Sequence, residues 1–270
     1  GIKKDHDLEV RRNVVGALRE IGDANAIAVL AVALVGGPAG LLQDEDVEVR
    51  RGVVGALRKI RDADAIFALG LALVGDPREG IKKDHDLEVR RNVVGALREI
   101  GDAKAIPVLA VALVGDDPQT GIKDEDVEVR RGVVGALRDI GGAGAIVALG
   151  LALSGNANGL SKKDEDPEVR KSVVGALREM VHAKAIPVLA VALVGGPAGL
   201  PKKDEDVEVR RGVVGALRKI RDADAIVALA CALLGSTNGR VKKDEDLEVR
   251  RSAVAGLREM RHAKALAISQ

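Results

Sequence analysis

Asp46-Val47-Glu48-Val49-Arg50-Arg51-Gly52-Val53-Val54-Gly55-Ala56-Leu57-Arg58-Lys59-Ile60 reads as one amphipathic helix, and that reading decides the fold. Asp46 is placed to accept the orphan N–H groups of a helix start. The sister stretch puts Pro167 directly after Asp166, where proline fits the first turn. Glu48 suits the positive end of the helix dipole. Val49, Val53, Ala56, Leu57 and Ile60 recur at helical spacing on one face, with Arg51, Gly52, Gly55, Arg58 and Lys59 opposite. Arg61-Asp62-Ala63-Asp64 then makes a tight turn with Asp62 as cap. A second helix, apolar all round, runs from Ala65 to Val74 and stops at Gly75. Pro107 and Pro187 in the sister units fall early enough in this helix to be tolerated.

Working outward, Glu-Val-Arg returns at Glu9, Glu48, Glu88, Glu128, Glu168, Glu208 and Glu248, with a first spacing of 39 residues and later spacings of 40. A fixed period of this size marks a solenoid, in which each repeat packs only on its neighbours. The expected fold is all-α: an α-α superhelix of seven roughly 40-residue helix-turn-helix repeats, the last truncated. The chain is expected to be one solenoid domain over 1–270, with repeats near 1–40, 41–79, 80–120, 121–159, 160–199, 200–239 and 240–270. A weaker 80-residue period overlies this one: Asn13 matches Asn92, and Gly52 matches Gly132 and Gly212. A pair of repeats is the expected duplicating unit.

Composition narrows the function. With 42 basic and 41 acidic residues the net charge is +1, so no bulk field favours nucleic acid or an anionic membrane. Trp and Tyr are absent and Phe67 is the sole aromatic residue, so aliphatics must fill the core. Cys231 stands alone, which excludes an internal disulfide; it occupies a position that sister repeats give to Leu71, Val111 or Leu151. Each apolar run ends at a glycine short of the ~18 residues a membrane span needs. No signal peptide is visible and a cytoplasmic setting is expected; Gly1 enters in mid-loop, so a removed leader stays open.

The Asp-x-Asp-x-Glu-Val-Arg-Arg stretch followed by Val-Val-Gly-Ala-Leu-Arg-x-Ile, then Asp-Ala-x-Ala-Ile-Pro-x-Leu, resembles the HEAT-like repeat of the phycobilisome-lyase (E–Z) type. The resemblance covers essentially the whole chain and implies an α-α superhelix used mainly for protein–protein contact. Some members attach bilin chromophores, so a bilin-lyase-type chromophore-binding protein is an alternative that only the resemblance implies. The chain departs from the pattern in three places: long inter-repeat stretches such as Gly75–Lys83; glycine at Gly16, Gly55, Gly95, Gly135, Gly175 and Gly215; and apolar outward positions on the second helix.

Chemistry-bearing constellations are sparse. The triplets Asp5/Asp7/Glu9, Asp44/Asp46/Glu48 and Asp84/Asp86/Glu88 could offer oxygens to calcium. They lack the turn glycine and distant bidentate Glu of a calcium loop, and capping explains them better. His6, His85, His182 and His262 have no zinc spacing. The recurrent Arg pairs could stripe a phosphate-binding face, but acids are interleaved, and the first Arg of each pair is expected to bond an Asp of an adjacent repeat. Lys-Lys pairs from Lys3-Lys4 to Lys242-Lys243 read as a solvated loop edge. No nucleophile–base–acid set and no phosphate loop is present, so no enzyme activity, cofactor or metal is expected.

The second helices therefore carry the functional expectation. Their outward residues are read as partner-binding: Val29, Val32, Phe67, Leu71, Val108, Val111, Val147, Leu151, Val188, Val191, Val227 and Cys231. Further outward positions are Ala28, Val35, Ala68, Val74, Pro107, Val114, Ala148, Pro187, Val194, Ala228 and Leu234, with Ile106, Leu109, Ala110 and Leu113 facing the core. A helix apolar all round needs cover on both sides. That cover is either the long loops folded back, a protein partner, or another copy of the chain. The expected function is a non-catalytic binding or assembly scaffold, with end-to-end or lateral self-assembly into a homo-oligomer or filament as its alternative. Neither end reads as a polar cap, since 265–270 looks like a second helix cut short.

Overall fold

A computed structural model describes residues 5–37, 42–115, 123–156, 162–196, 201–236 and 241–268, with side chains up to Arg261. Lys3-Lys4 and the side chain of His262 lie outside the described residues. Among those described there are helices and no strands, only one isolated antiparallel bridge between Asp76 and Ile81. The chain divides into two compact units, the first comprising Gly1–Leu113 with Ile122–Ile140, the second Val114–Gly121 with Gly141–Gln270.

In the first unit, the first helices of the repeats are α1 (Leu8–Ile21), α3 (Val47–Ile60), α5 (Leu87–Ile100) and α7 (Val127–Ile140). The second helices are α2 (Ile27–Val35), α4 (Ala63–Val74) and α6 (Ile106–Val114). First helices pack side by side in order, and α2 and α4 pack both on each other and on the first-helix layer. In the second unit, α9 (Pro167–Met180), α11 (Val207–Ile220) and α13 (Leu247–Ile268) form one layer, and α8 (Gly142–Ser154), α10 (Ile186–Val194) and α12 (Ala223–Leu234) the other. This is the all-α repeat architecture the periodicity predicts.

The caps form where the sequence places them. Asp46, Asp86, Asp166 and Asp206 each accept a first-turn N–H of their helix. Asp62 and Asp222 cap the second helices by accepting the N–H two residues on. His182 does the same through Nδ1 to the Lys184 N–H. Between helices, Gly22 and Gly101 take the left-handed conformation, whereas Arg61, Val181 and Arg221 hold it at a cost of roughly 1 kcal/mol each.

A first helix is buried on more than the one expected face, because it is flanked by first helices on both sides. Val49, Val53, Ala56 and Leu57 are buried as expected, and so are Val54 and Arg50. Arg50 donates through Nε and Nη2 to the Asp84 carboxylate of the next repeat, at 2.7 and 3.1 Å, and through Nη1 to the Asp44 and Glu45 carbonyls. Both side chains are 0% exposed. Arg90 repeats the bond to Asp124, Arg170 to Asp204 and Arg210 to Asp244, while Arg11 reaches Asp44. The same aspartates tie in a third element. Asp84 N–H bonds the Ala72 carbonyl near the end of α4, and its Oδ1 accepts the Asp86 N–H at the start of α5.

The 80-residue period has a packing cause. A Cβ on Gly52 would sit 3.1 Å from Val15 Cγ1, and on Gly132 and Gly212 it would sit 3.3 and 3.1 Å from Val94 and Val174. These glycines let α3 close on α1, α7 on α5 and α11 on α9. The guanidinium groups of Arg19, Arg98 and Arg178 lie over Gly55, Gly135 and Gly215 at the same junctions. Of the glycines read as outward, Gly52, Gly55, Gly132, Gly135, Gly212 and Gly215 are therefore contact positions, and what they touch is the preceding first helix. Gly16, Gly95 and Gly175 have open space beside them.

The last repeat departs from expectation. The turn near Arg261-His262 is not made, and α13 continues as one helix to Ile268. The sister stretch makes its turn at Val181-His182, and Arg261, a better helix former than valine, stands at the corresponding position here.

Three outcomes test this account. Asp84→Ala leaves a buried guanidinium without its counter-charge and should lower unfolding free energy by about 3–5 kcal/mol in urea titration; adding Arg50→Met should recover part of the loss. Gly95→Ala should stabilise by about 0.5–1 kcal/mol, because the position is open and alanine costs less helix entropy. Gly150→Ala should destabilise, since its Cβ would meet Val188 Cγ2 at 2.7 Å. The third concerns acid. The Val49 N–H holds the Asp46 carboxyl below its usual 3.8, although burial opposes it. The Lys203 ammonium, with a backbone bond, holds Glu245 below 4.5. Depressed carboxylates stabilise fully above their unfolded values and lose that contribution as pH falls through the folded ones. Stability should thus be flat down to about pH 5 and fall below it, and Asp46→Asn, which keeps a cap, should flatten the fall.

Candidate interaction surface

The second helices present their surface side because each has one buried stripe and one stripe left over. In α4, Ala65, Ile66, Ala68, Leu69, Gly70, Ala72 and Leu73 are buried, which leaves Phe67 65% exposed and Leu71 and Val74 half-buried. Ala68, Ala148 and Ala228, read from the sequence as outward, are buried. Each of these second helices packs on a neighbouring second helix as well as on the first-helix layer, and helical periodicity within one repeat does not contain those contacts. In α6 the buried set is Leu109, Ala112 and Leu113, so Ala112 takes the place expected of Ala110, and Ile106 is only half-buried.

The twelve candidate residues separate into two groups. Val29 at 48%, Phe67, and Val147 and Val227 at 61% each are exposed. Val32, Leu71, Val108, Val111, Leu151, Val188, Val191 and Cys231 are half-buried. Glycine causes part of this: Gly70 stands 3.0 Å, as a built Cβ, from Val108 Cγ2, and Gly150 admits Val188 in the same way. The valines sink between helices because glycine leaves them room. Cys231 is a half-buried apolar filler, as its sister positions suggest.

In the first unit these residues line a groove of about 400 Å³ between α4 and the start of α6. Ile66, Phe67, Leu71 and Val74 form one wall and Pro107 and Val108 the other, with Lys104 and Asp76 as its polar margins. The loop from Gly75 does not fold across it. Asp76 and Ile81 exchange backbone hydrogen bonds and Asp76 Oδ1 accepts the Arg78 N–H, so the extra residues close on themselves. In the second unit, α8, α10 and α12 bring Val147 with Leu151, Val188 with Val191, and Val227 with Cys231 onto the same layer.

The acidic triplets are used up by the fold. Asp44 receives Arg11 and the Asp46 N–H, Asp46 caps α3, and Glu48 pairs with Arg51 at 2.8 Å. Among the described residues no group of His, Cys, Asp and Glu is gathered closely enough to hold a metal ion, and no helix is long and apolar enough to cross a membrane. The lysine edge is also partly engaged, with Lys83, Lys163 and Lys203 bonded to Glu125, Glu205 and Glu245. What the sequence reading missed is the basic cleft of the second unit, where Arg178, Arg218, Lys219 and Arg221 come together around Gly215.

No curated protein matches the chain. Among solved structures, human deoxyhypusine hydroxylase in complex with glycerol is similar at 21% identity and TM-score 0.36, over 96% of this chain and 92% of that one. The complex of CpcE and CpcF of phycocyanin lyase from Nostoc sp. PCC7120 is similar at 18% identity and TM-score 0.39, over 95% and 91%. The phycobilisome-lyase (PBS lyase) HEAT-like repeat matches residues 10–36, and HEAT repeats match 39–121 and 153–243, most of the sequence. With its paired helices and its ladder of repeat-to-repeat contacts, the chain belongs to the HEAT-repeat family.

Proposed function

We propose that the chain is a non-catalytic scaffold that binds an apolar segment of a partner protein on the exposed row of its second helices. The observation that carries this reading is Phe67. The sole aromatic side chain of the sequence stands 65% exposed at the mouth of an apolar groove instead of in the core. Burying a Phe or Val side chain stabilises by about 1.5–3 kcal/mol, so a row of such residues favours a covering surface. The twelve candidate residues include no titratable group except the Cys231 thiol, so they are equipped for contact and not for proton transfer. HEAT-repeat membership agrees with a role in protein contact. A bilin-lyase-type role would call for polar groups converging on a tetrapyrrole, and the groove supplies only Lys104 and Asp76 at its margins.

The test is a paired substitution, Val29→Asp with Phe67→Asp, titrated with a fluorescent amphipathic Leu/Ala helix peptide. Helical circular dichroism should be unchanged, because both side chains are exposed, and peptide affinity should fall about tenfold or more. Unfolding of the variant would make these core positions and end the proposal. A fall in solution mass on substitution would identify the partner as a second copy of the chain, the self-assembling alternative.

A further inference from the structure

In the second unit a cleft of about 290 Å³ opens at the turn end of α9 and α11, lined by Arg178, Gly215, Arg218, Lys219, Arg221 and Glu259. Glu259 is the one carboxylate in the lining, and Arg218 Nε takes it at 3.2 Å. Arg178, Lys219 and Arg221 are exposed and, among the described residues, have no carboxylate partner. The first unit shows what these positions do when satisfied internally. There Arg58 pairs with Glu99 at 2.8 Å, Arg61 donates to the Glu99 carbonyl at 2.9 Å, and Lys59 donates to the Glu20 carbonyl at 3.0 Å. The second unit keeps the same cations and makes only the first of these three bonds.

Arg221 stands at the turn itself. It holds a left-handed backbone at φ 58°, a conformation that sister repeats give to Gly22 and Gly101. In the first unit Arg61 takes the same conformation and uses its guanidinium on the Glu99 carbonyl; Arg221 has no such acceptor among the described residues.

We propose that this cleft docks an acidic peptide segment of a protein partner, its Asp or Glu carboxylates pairing with Arg178, Lys219 and Arg221. Arg178 and Lys219 sit on two helices and Arg221 in the turn after the second, spaced around an open cleft, which suits a run of carboxylates more than a single anion. Arginine supplies planar, paired donors for carboxylates, and exposed cations raise the encounter rate with an acidic chain. The inference rests on the protein-binding reading above and assigns a different surface and a different chemistry.

The experiment titrates the full chain with a fluorescein-labelled hexaglutamate peptide at low ionic strength. Saturable binding is expected, weakened about tenfold or more by Lys219→Glu with Arg221→Glu. The milder Lys219→Met with Arg221→Gly, which places at 221 the residue of its sister turns, should weaken it as well while keeping the fold. Lys59→Glu with Arg61→Glu alters net charge equally in the first unit and should leave affinity unchanged. Equal loss from both pairs would reduce the effect to net charge and overturn the site. Displacement of the peptide by an equimolar amount of inorganic phosphate, or tighter binding of a single-stranded oligonucleotide, would overturn the acidic-peptide assignment. Val29→Asp with Phe67→Asp should not alter hexaglutamate binding, so the two surfaces fail or succeed separately.

Discussion

One aspartate per repeat holds the architecture together. Asp84 serves as the type: its N–H closes the end of α4, its carboxylate accepts the N–H at the start of α5, and the same carboxylate takes the buried Arg50 from the repeat before. Three elements from two repeats meet on one residue, which is buried. A buried ion pair adds little net stability over a well-packed apolar pair, yet it penalises every arrangement in which a charge is left alone. Stacking register is therefore set here. Repeats displaced by one position would bury Arg50 against valine.

The apolar core fills around that ladder, and small residues decide how closely. Glycine at Gly52, Gly132 and Gly212 draws alternate first helices together, and Arg19, Arg98 and Arg178 lie across the glycines one turn further on. On the other layer Gly70 and Gly150 seat Val108 and Val188. Two different surfaces result. The second-helix side is aliphatic, with Phe67 standing out of it, whereas the turn end of the first helices is ionic. The ionic edge is closed by internal bonds in the first unit and open at Arg178, Lys219 and Arg221 in the second.

Much of this was legible in the sequence. The 40-residue period gave the repeat, Asp46 and Asp62 gave the helix starts, and the position of Arg50 among valines pointed to an aspartate of an adjacent repeat, which proves to be Asp84 of the next one. These features are local or recur at fixed spacing, so linear order determines them. The candidate surface was legible in outline, because a helix apolar all round must have a stripe left over once its core stripe is buried.

Which stripe is left over was a tertiary decision. Ala68, Ala148 and Ala228 are buried and Phe67, Val147 and Val227 exposed because of where the neighbouring second helix lies, and no single repeat carries that information. The same holds for Val54, buried by the following first helix, and for the glycines, whose open or crowded surroundings alternate along the chain. The cleft around Gly215 gathers residues from α9, α11 and α13 that sequence scatters over some eighty positions. The sequence by itself determined the repeat, the caps and the ionic ladder, since each depends on groups a few residues or one period apart. Packing between repeats alone decided which apolar and basic side chains remain free to meet a partner, because exposure depends on every neighbour at once.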